Sequence, residues 1–245
     1  MTAYQHHWLP APSLGGGAEV VVHGDWGRPV LWFATEQGSA HDFSNNGMLD
    51  AVRGAVDGGR IKVYCVGSYD HESWSASWKP LQDRAAAHRA YEDWIIWHVV
   101  PFIRDSSGGR DDIATAGASM GAFHAILFAL RHPHVFPRAV SFSGNYDPST
   151  WRGWGDEDYF TSPFRFVPGL GGGQLDYLRH RLFLTLIVGS GQWEDTTGAN
   201  PSTHAFANVL RDKGIPHEFY DWGPEWPHDW SSWHAQASIY LASLG

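Results

Sequence analysis

Only one cysteine, Cys65, occurs in the 245 residues, so no disulfide can form within the chain. It sits in the apolar stretch Ile61-Lys62-Val63-Tyr64-Cys65-Val66, where a thiol is expected to be a buried strand residue and not a nucleophile. Basic residues are also scarce: 17 Lys and Arg stand against 26 Asp and Glu, a formal net charge of -9. That deficit argues against general affinity for nucleic acid or an anionic bilayer surface. No apolar run is long enough to span a membrane. The N-terminus, Met1-Thr2-Ala3-Tyr4-Gln5-His6-His7, lacks the basic and apolar regions of a secretory signal, and a cytoplasmic location is the expectation. Gly15-Gly16-Gly17 and Gly171-Gly172-Gly173 lack the Lys-Ser/Thr that completes a phosphate loop, and neither has the strand context of a dinucleotide site. Asp70-His71-Glu72 has no second pair of ligating side chains at suitable spacing and reads as a solvated loop. No cofactor and no metal are expected, and composition leaves the oligomeric state undetermined.

What the chain does hold is a nucleophile elbow. Gly117-Ala118-Ser119-Met120-Gly121 spells Gly-x-Ser-x-Gly, preceded by a short apolar strand over residues 112–116 and followed by a helix over 122–130. A strand turning abruptly into a helix exposes the central serine in a strained conformation. The flanking glycines are needed because a Cβ there would collide with neighbouring backbone. The turn also aims the backbone N–H of Met120, at a helix N-terminus, toward a developing oxyanion.

Around the elbow, strands and helices alternate. Strands are expected over 18–22, 29–34, 61–66, 138–142, 182–188 and 217–220, with helices over 46–56, 82–104 and 232–244. This pattern predicts an α/β fold with a mostly parallel sheet covered on both faces. The length suits a single domain spanning residues 1–245. Residues 148–180 break the rhythm with Gly, Pro and aromatic residues, including Trp151 and Trp154, and form either a small cap over the site or a surface excursion. Tryptophan is abundant, at 14 copies. Most of these are expected to pack loops, but Trp193 and Trp226 flank the loops of interest and are candidates for a substrate pocket.

A serine hydroxyl needs a base, and the base needs an orienting acid. In this architecture they follow in the order Ser, acid, His, on loops after late strands. Of the late histidines, His204 begins a helix, His217 lies in the last strand and His234 in the last helix. Only His228 occupies the loop between that strand and helix, so it is the expected base. The acid should follow the 182–188 strand, in Gly189-Ser190-Gly191-Gln192-Trp193-Glu194-Asp195. Glu194 is the first choice, with Asp195 and Asp147 as alternatives. A second oxyanion donor is expected in Thr35-Glu36-Gln37-Gly38-Ser39, from the backbone of Gln37 or Gly38.

With these segments in place, the chain resembles the esterase D-like esterases, relatives of the mycobacterial mycolyltransferases of the antigen 85 complex. The likeness rests on the elbow, on Gly191-Gln192-Trp193-Glu194 against a Gly-x-x-Asp pattern, and on His228-Asp229-Trp230 with Trp233 against a His-Ser/Asp-Trp-x-x-Trp pattern. Residues 33–48, 68–74 and 143–147 are similar too. The resemblance implies an α/β-hydrolase fold and hydrolysis or transfer of acyl groups with Ser119 as nucleophile. Glu194 departs from the family's Asp. The expected function is a cofactor-independent serine carboxylesterase acting on a small-molecule ester. Acyl transfer at the same site, or a catalytically silent ligand-binding protein on the same fold, are the alternatives.

Overall fold

The computed structural model describes residues 4–152 and 156–245, and of residues 151, 152 and 156–158 it describes the backbone alone. Among these residues the strands are β1 (Tyr4–Ala11), β2 (Gly16–His23), β3 (Arg28–Phe33), β4 (Ile61–Val66), β5 (Ala114–Ala118), β6 (Arg138–Phe142), β7 (Phe183–Val188) and β8 (His217–Asp221). The helices are α1 (Asp42–Asn45), α2 (Met48–Asp57), α3 (Leu81–Trp94), α4 (Val100–Ser106), α5 (Met120–Arg131), α6 (Ser149–Arg152), α7 (Pro163–Gly169), α8 (Gly172–Arg181), α9 (Ala199–Lys213) and α10 (Trp230–Tyr240).

All eight strands form one sheet in the order β1-β2-β4-β3-β5-β6-β7-β8. The β1–β2 and β2–β4 pairs are antiparallel, and every other pair is parallel. Side chains alternate across a strand, so each central strand feeds two apolar layers. Val30 and Trp32 of β3 join Val52 and Val56 of α2 and Ala237 of α10 on one face. Leu31 and Phe33 join Tyr91 and Trp94 of α3 and Ile126 of α5 on the other. Cys65 belongs to the first layer and is buried, and that burial pushes its thiol well above the usual range. It is an inert core residue, as the sequence implies.

Three segments differ from the sequence reading. β1 was not expected. Its Tyr-Gln-His-His stretch carries no apolar alternation, and it is an exposed edge strand held by ladder pairs from Tyr4↔His23 to Ala11↔Gly16. The helix expected over 82–104 is interrupted by a π turn at Ile95–Val99. Pro101 follows two residues later, as the second residue of α4. Proline has no N–H to donate, and its ring strikes the carbonyl one turn back, so a widened turn relieves both defects.

The third is the 148–180 segment. Trp154 and the Trp151 side chain lie outside the described residues. Beyond them, Phe166, Val167, Leu175 and Leu178 bury into the same layer as Phe206 and Leu210 of α9. This stretch completes the helical layer there, and Thr150 at its start borders the pocket described below. Among the described residues, no helix is long and apolar enough to cross a membrane.

Candidate active site

Ser119 stands at the junction of β5 and α5 with φ 55° and ψ -118°, a backbone conformation rarely adopted by an L residue. The neighbouring glycines make that junction possible. A Cβ on Gly117 would lie 2.4 Å from the Gly121 carbonyl carbon, and one on Gly121 would lie 2.2 Å from the Phe33 oxygen. The Ser119 N–H donates to Phe142 O at 2.9 Å, fixing the elbow to β6. At the start of α5 the Met120 amide has no intrahelical acceptor, and Met120 borders the pocket.

His228 reaches Ser119 from the loop after β8. Its Nε2 lies 2.9 Å from Ser119 Oγ, and its Nδ1 lies 3.1 Å from Glu194 Oε2. A carboxylate can only accept, so Nδ1 carries the proton and Nε2 is left as the acceptor facing the serine. The Trp233 ring meets the His228 ring edge-on, with centroids 5.1 Å apart at 85°, and limits its tilt. His204, His217 and His234 bond instead to Asp221, Ile215 O and Asn46 O.

Glu194 is fully buried at the foot of the loop after β7. Its second oxygen, Oε1, accepts from Ser143 Oγ at 2.5 Å and from Gly189 N at 3.4 Å. Trp233 Nε1 donates to the same Ser143 Oγ at 3.1 Å. Ser143, in the left-handed region with φ 54°, was missed in the sequence because nothing local marks it. Asp195 is exposed on the pocket border. Asp147 Oδ1 closes a turn, accepting from Ser149 N at 3.1 Å and Ser149 Oγ at 2.6 Å. Neither alternative acid bonds to His228 among the described residues.

The acid and base loops touch at backbone distance. Gly191 N donates to Trp226 O at 3.0 Å, and His228 N donates to Gln192 O at 2.8 Å. A Cβ on Gly189 would lie 2.0 Å from Trp226 O, so the glycine lets the two loops meet.

The cavity beside Ser119 has a volume of about 620 Å³. Among the described residues its wall includes Glu36, Trp74, Phe123, Asn145, Asp195 and Thr197, a largely polar lining with two carboxylates and no Lys or Arg. Two sequence-level expectations are corrected here. Gly38 spends its N–H on Thr35 O at 2.9 Å, and neither Gly38 nor Gln37 lines the cavity, whereas Glu36 does. A Cβ on Gly38 would lie 3.0 Å from Thr35 O, a tight backbone contact. Trp193 and Trp226 do not line the cavity either. Trp193 is 57% exposed, and Trp226 packs edge-on against Trp222 at 4.5 Å. Among the described residues, the Trp and Phe side chains of the wall are Trp74 and Phe123.

Asp70, His71 and Glu72 diverge. Asp70 is buried and meets His124 Nε2 at 3.1 Å, while Glu72 pairs with Lys79. Among the described residues, one group has the donors to hold a metal ion, His6 with Glu19 and His41, and none of the three lines the cavity.

The family described as Putative esterase matches residues 41–243. Among curated proteins, no sequence matches. Solved structures match over nearly the whole chain. An S-formylglutathione hydrolase from Staphylococcus aureus has a TM-score of 0.70 at 20% identity, covering 99% of this chain and 96% of its own. MPT51 of Mycobacterium tuberculosis gives 0.69 at 18%, covering 99% and 97%. A ferulic acid esterase from Anaeromyces mucronatus gives 0.72 at 10%, covering 99% and 90%. Identities this low speak for the fold alone, and that fold is the α/β hydrolase.

Proposed function

The chain belongs to the esterase family and is a serine hydrolase acting on esters, and from that premise we propose that it works through an acyl-enzyme on Ser119. The observation that carries this reading is the continuous relay from Ser119 Oγ to His228 Nε2 at 2.9 Å and from His228 Nδ1 to Glu194 Oε2 at 3.1 Å. His228 takes the serine proton as Oγ attacks the ester carbonyl. The resulting imidazolium sits against the Glu194 carboxylate, which stabilises it without taking its proton. The tetrahedral oxyanion accepts from the Met120 N–H and from the backbone N–H of Glu36, the residue of the loop after β3 that borders the cavity. His228 then protonates the leaving alcohol. It next deprotonates a water that attacks the acyl carbonyl, and Ser119 is released with the acid product.

The cavity supports a small, polar ester as substrate. Its wall offers hydroxyl and amide groups from Asn145 and Thr197, and its carboxylates, Glu36 and Asp195, disfavour anionic substrates. The test is hydrolysis of p-nitrophenyl esters of increasing chain length by the wild type and by Ser119→Ala. We expect kcat to fall at least ~10³-fold in the variant, with an unchanged circular dichroism spectrum. Near-wild-type turnover by purified Ser119→Ala would overturn the mechanism.

A further inference from the structure

The N-terminal hairpin brings together side chains that the hydrolytic site does not use. In the β1–β2 ladder, His6 pairs with Val21 and Glu19 with Trp8, so His6 and Glu19 are diagonal neighbours on one face of the sheet. His41, immediately ahead of α1, reaches the same spot from the loop after β3. The Nε2 atoms of both histidines converge on a single oxygen, Glu19 Oε1: His41 at 2.7 Å, and His6 in direct contact. The two imidazole rings lie nearly parallel, with centroids 5.8 Å apart at 23°. All three donor atoms fall within 4.8 Å of one another.

We propose that His6, Glu19 and His41 form a zinc-binding site that fastens the N-terminal hairpin to the hydrolase body. Two imidazole nitrogens and one carboxylate oxygen are a donor set that suits Zn²⁺, with water as the fourth ligand of a tetrahedron. Bonds of about 2.0–2.2 Å spread tetrahedral ligand atoms a little beyond hydrogen-bond distance. Small rotations of these half-exposed side chains supply that spread. A further contact fits the same role. Tyr4 OH lies 2.8 Å from His41 Nδ1. When Nε2 binds metal, the imidazole proton must sit on Nδ1, and Tyr4 is there to accept it, which fixes the tautomer and ring orientation. His6 has 48% of its side chain exposed, so the site is open to ions from solvent. His6 and Glu19 precede the family match, which begins at residue 41, so the site lies largely outside the part of the chain shared with that family.

The experiment is a calorimetric titration of chelator-treated full-length protein with ZnCl₂ near neutral pH. With 15 histidines in the chain, weak binding elsewhere is expected, so His204→Ala, which alters an exposed histidine paired with Asp221, is the control. The wild type and the control should each bind one zinc at a distinct high-affinity step. His6→Ala and Glu19→Gln should lose that step, and Tyr4→Phe should keep the stoichiometry with affinity weaker by about 10-fold or more. Co²⁺ bound to the wild type should give the intense visible bands of a tetrahedral ion, a readout independent of how any variant folds. No stoichiometric zinc step in the wild type, an unchanged step in both His6→Ala and Glu19→Gln, or octahedral cobalt spectra would overturn the proposal.

Discussion

At Glu194 the two carboxylate oxygens have separate partners: Oε2 faces His228 Nδ1, and Oε1 is held by Ser143 Oγ and Gly189 N. The longer side chain of a glutamate needs such anchoring, because an extra rotatable bond would otherwise let the carboxylate drift from the imidazole. Ser143 is itself fixed by the Trp233 indole N–H, so a tryptophan of the last helix helps position the Glu194 carboxylate. From this geometry Glu194→Gln should lose up to ~10⁴-fold in kcat, through the wrong tautomer and an uncompensated imidazolium. Asp195→Asn and Asp147→Asn should stay within about 10-fold of wild type, because neither side chain bonds to the base. Steady-state kinetics on one ester compares the three, and equal losses in Glu194→Gln and Asp195→Asn would contradict the assignment. Chain order and loop position singled out Ser119, His228 and Glu194, and the structure brings these three side chains within hydrogen-bond distance. Ser143 was not singled out, and of Glu36 only its loop after β3 was. What distinguishes them is where a neighbouring strand ends in space, and no local pattern in the sequence records that.

Among the elements, α3 and the C-terminal end of α5 are joined by an ion cluster around the buried Glu92 carboxylate. Glu92 Oε1 accepts from Arg131 Nε at 2.7 Å and from His132 Nε2 at 2.5 Å. Burial alone would raise the Glu92 carboxyl, but the His132 hydrogen bond and the charges of His88 and Arg131 outweigh it and bring the pKa down to about 2. A carboxyl whose pKa is lower in the folded state contributes stability above its unfolded pKa, and that contribution is lost as pH falls through the folded value. The drop from 4.5 to about 2 corresponds to about 3 kcal/mol. Glu92→Gln should therefore lower the urea midpoint at neutral pH. The gap from wild type should close as pH falls from 4.5 toward 2. A gap that does not change with pH would contradict this account of the cluster. Helices and central strands were legible because their apolar periodicity is strong. β1 was not, because an exposed edge strand with few apolar contacts is specified mainly by its ladder to β2. The π turn at Ile95–Val99 hides behind a regular helical pattern, with Pro101 as its one visible trace.

Across the whole molecule, the sheet order makes the site. Ser119 and His228 are 109 positions apart, yet they meet because β5, β6, β7 and β8 lie side by side and parallel. Their C-terminal ends then share one edge, and the loops that leave those ends converge there. The glycines of the acid loop let it close against the loop carrying the base, at the contact of Gly191 N with Trp226 O. The strand–helix alternation allowed the α/β class to be read in advance. The polar cavity wall and its aromatic members were not, because Trp74 and Phe123 come from segments remote in sequence that only the fold brings together. The central claim is that Ser119 alone carries the acyl group, and the most direct measurement is intact-mass and peptide mapping after reaction with an alkyl fluorophosphonate. The account predicts a single adduct on the peptide containing Ser119, formed as esterase activity disappears and absent from Ser119→Ala. Full inactivation with the adduct on another residue, or continued ester hydrolysis by the fully labelled protein, would contradict it.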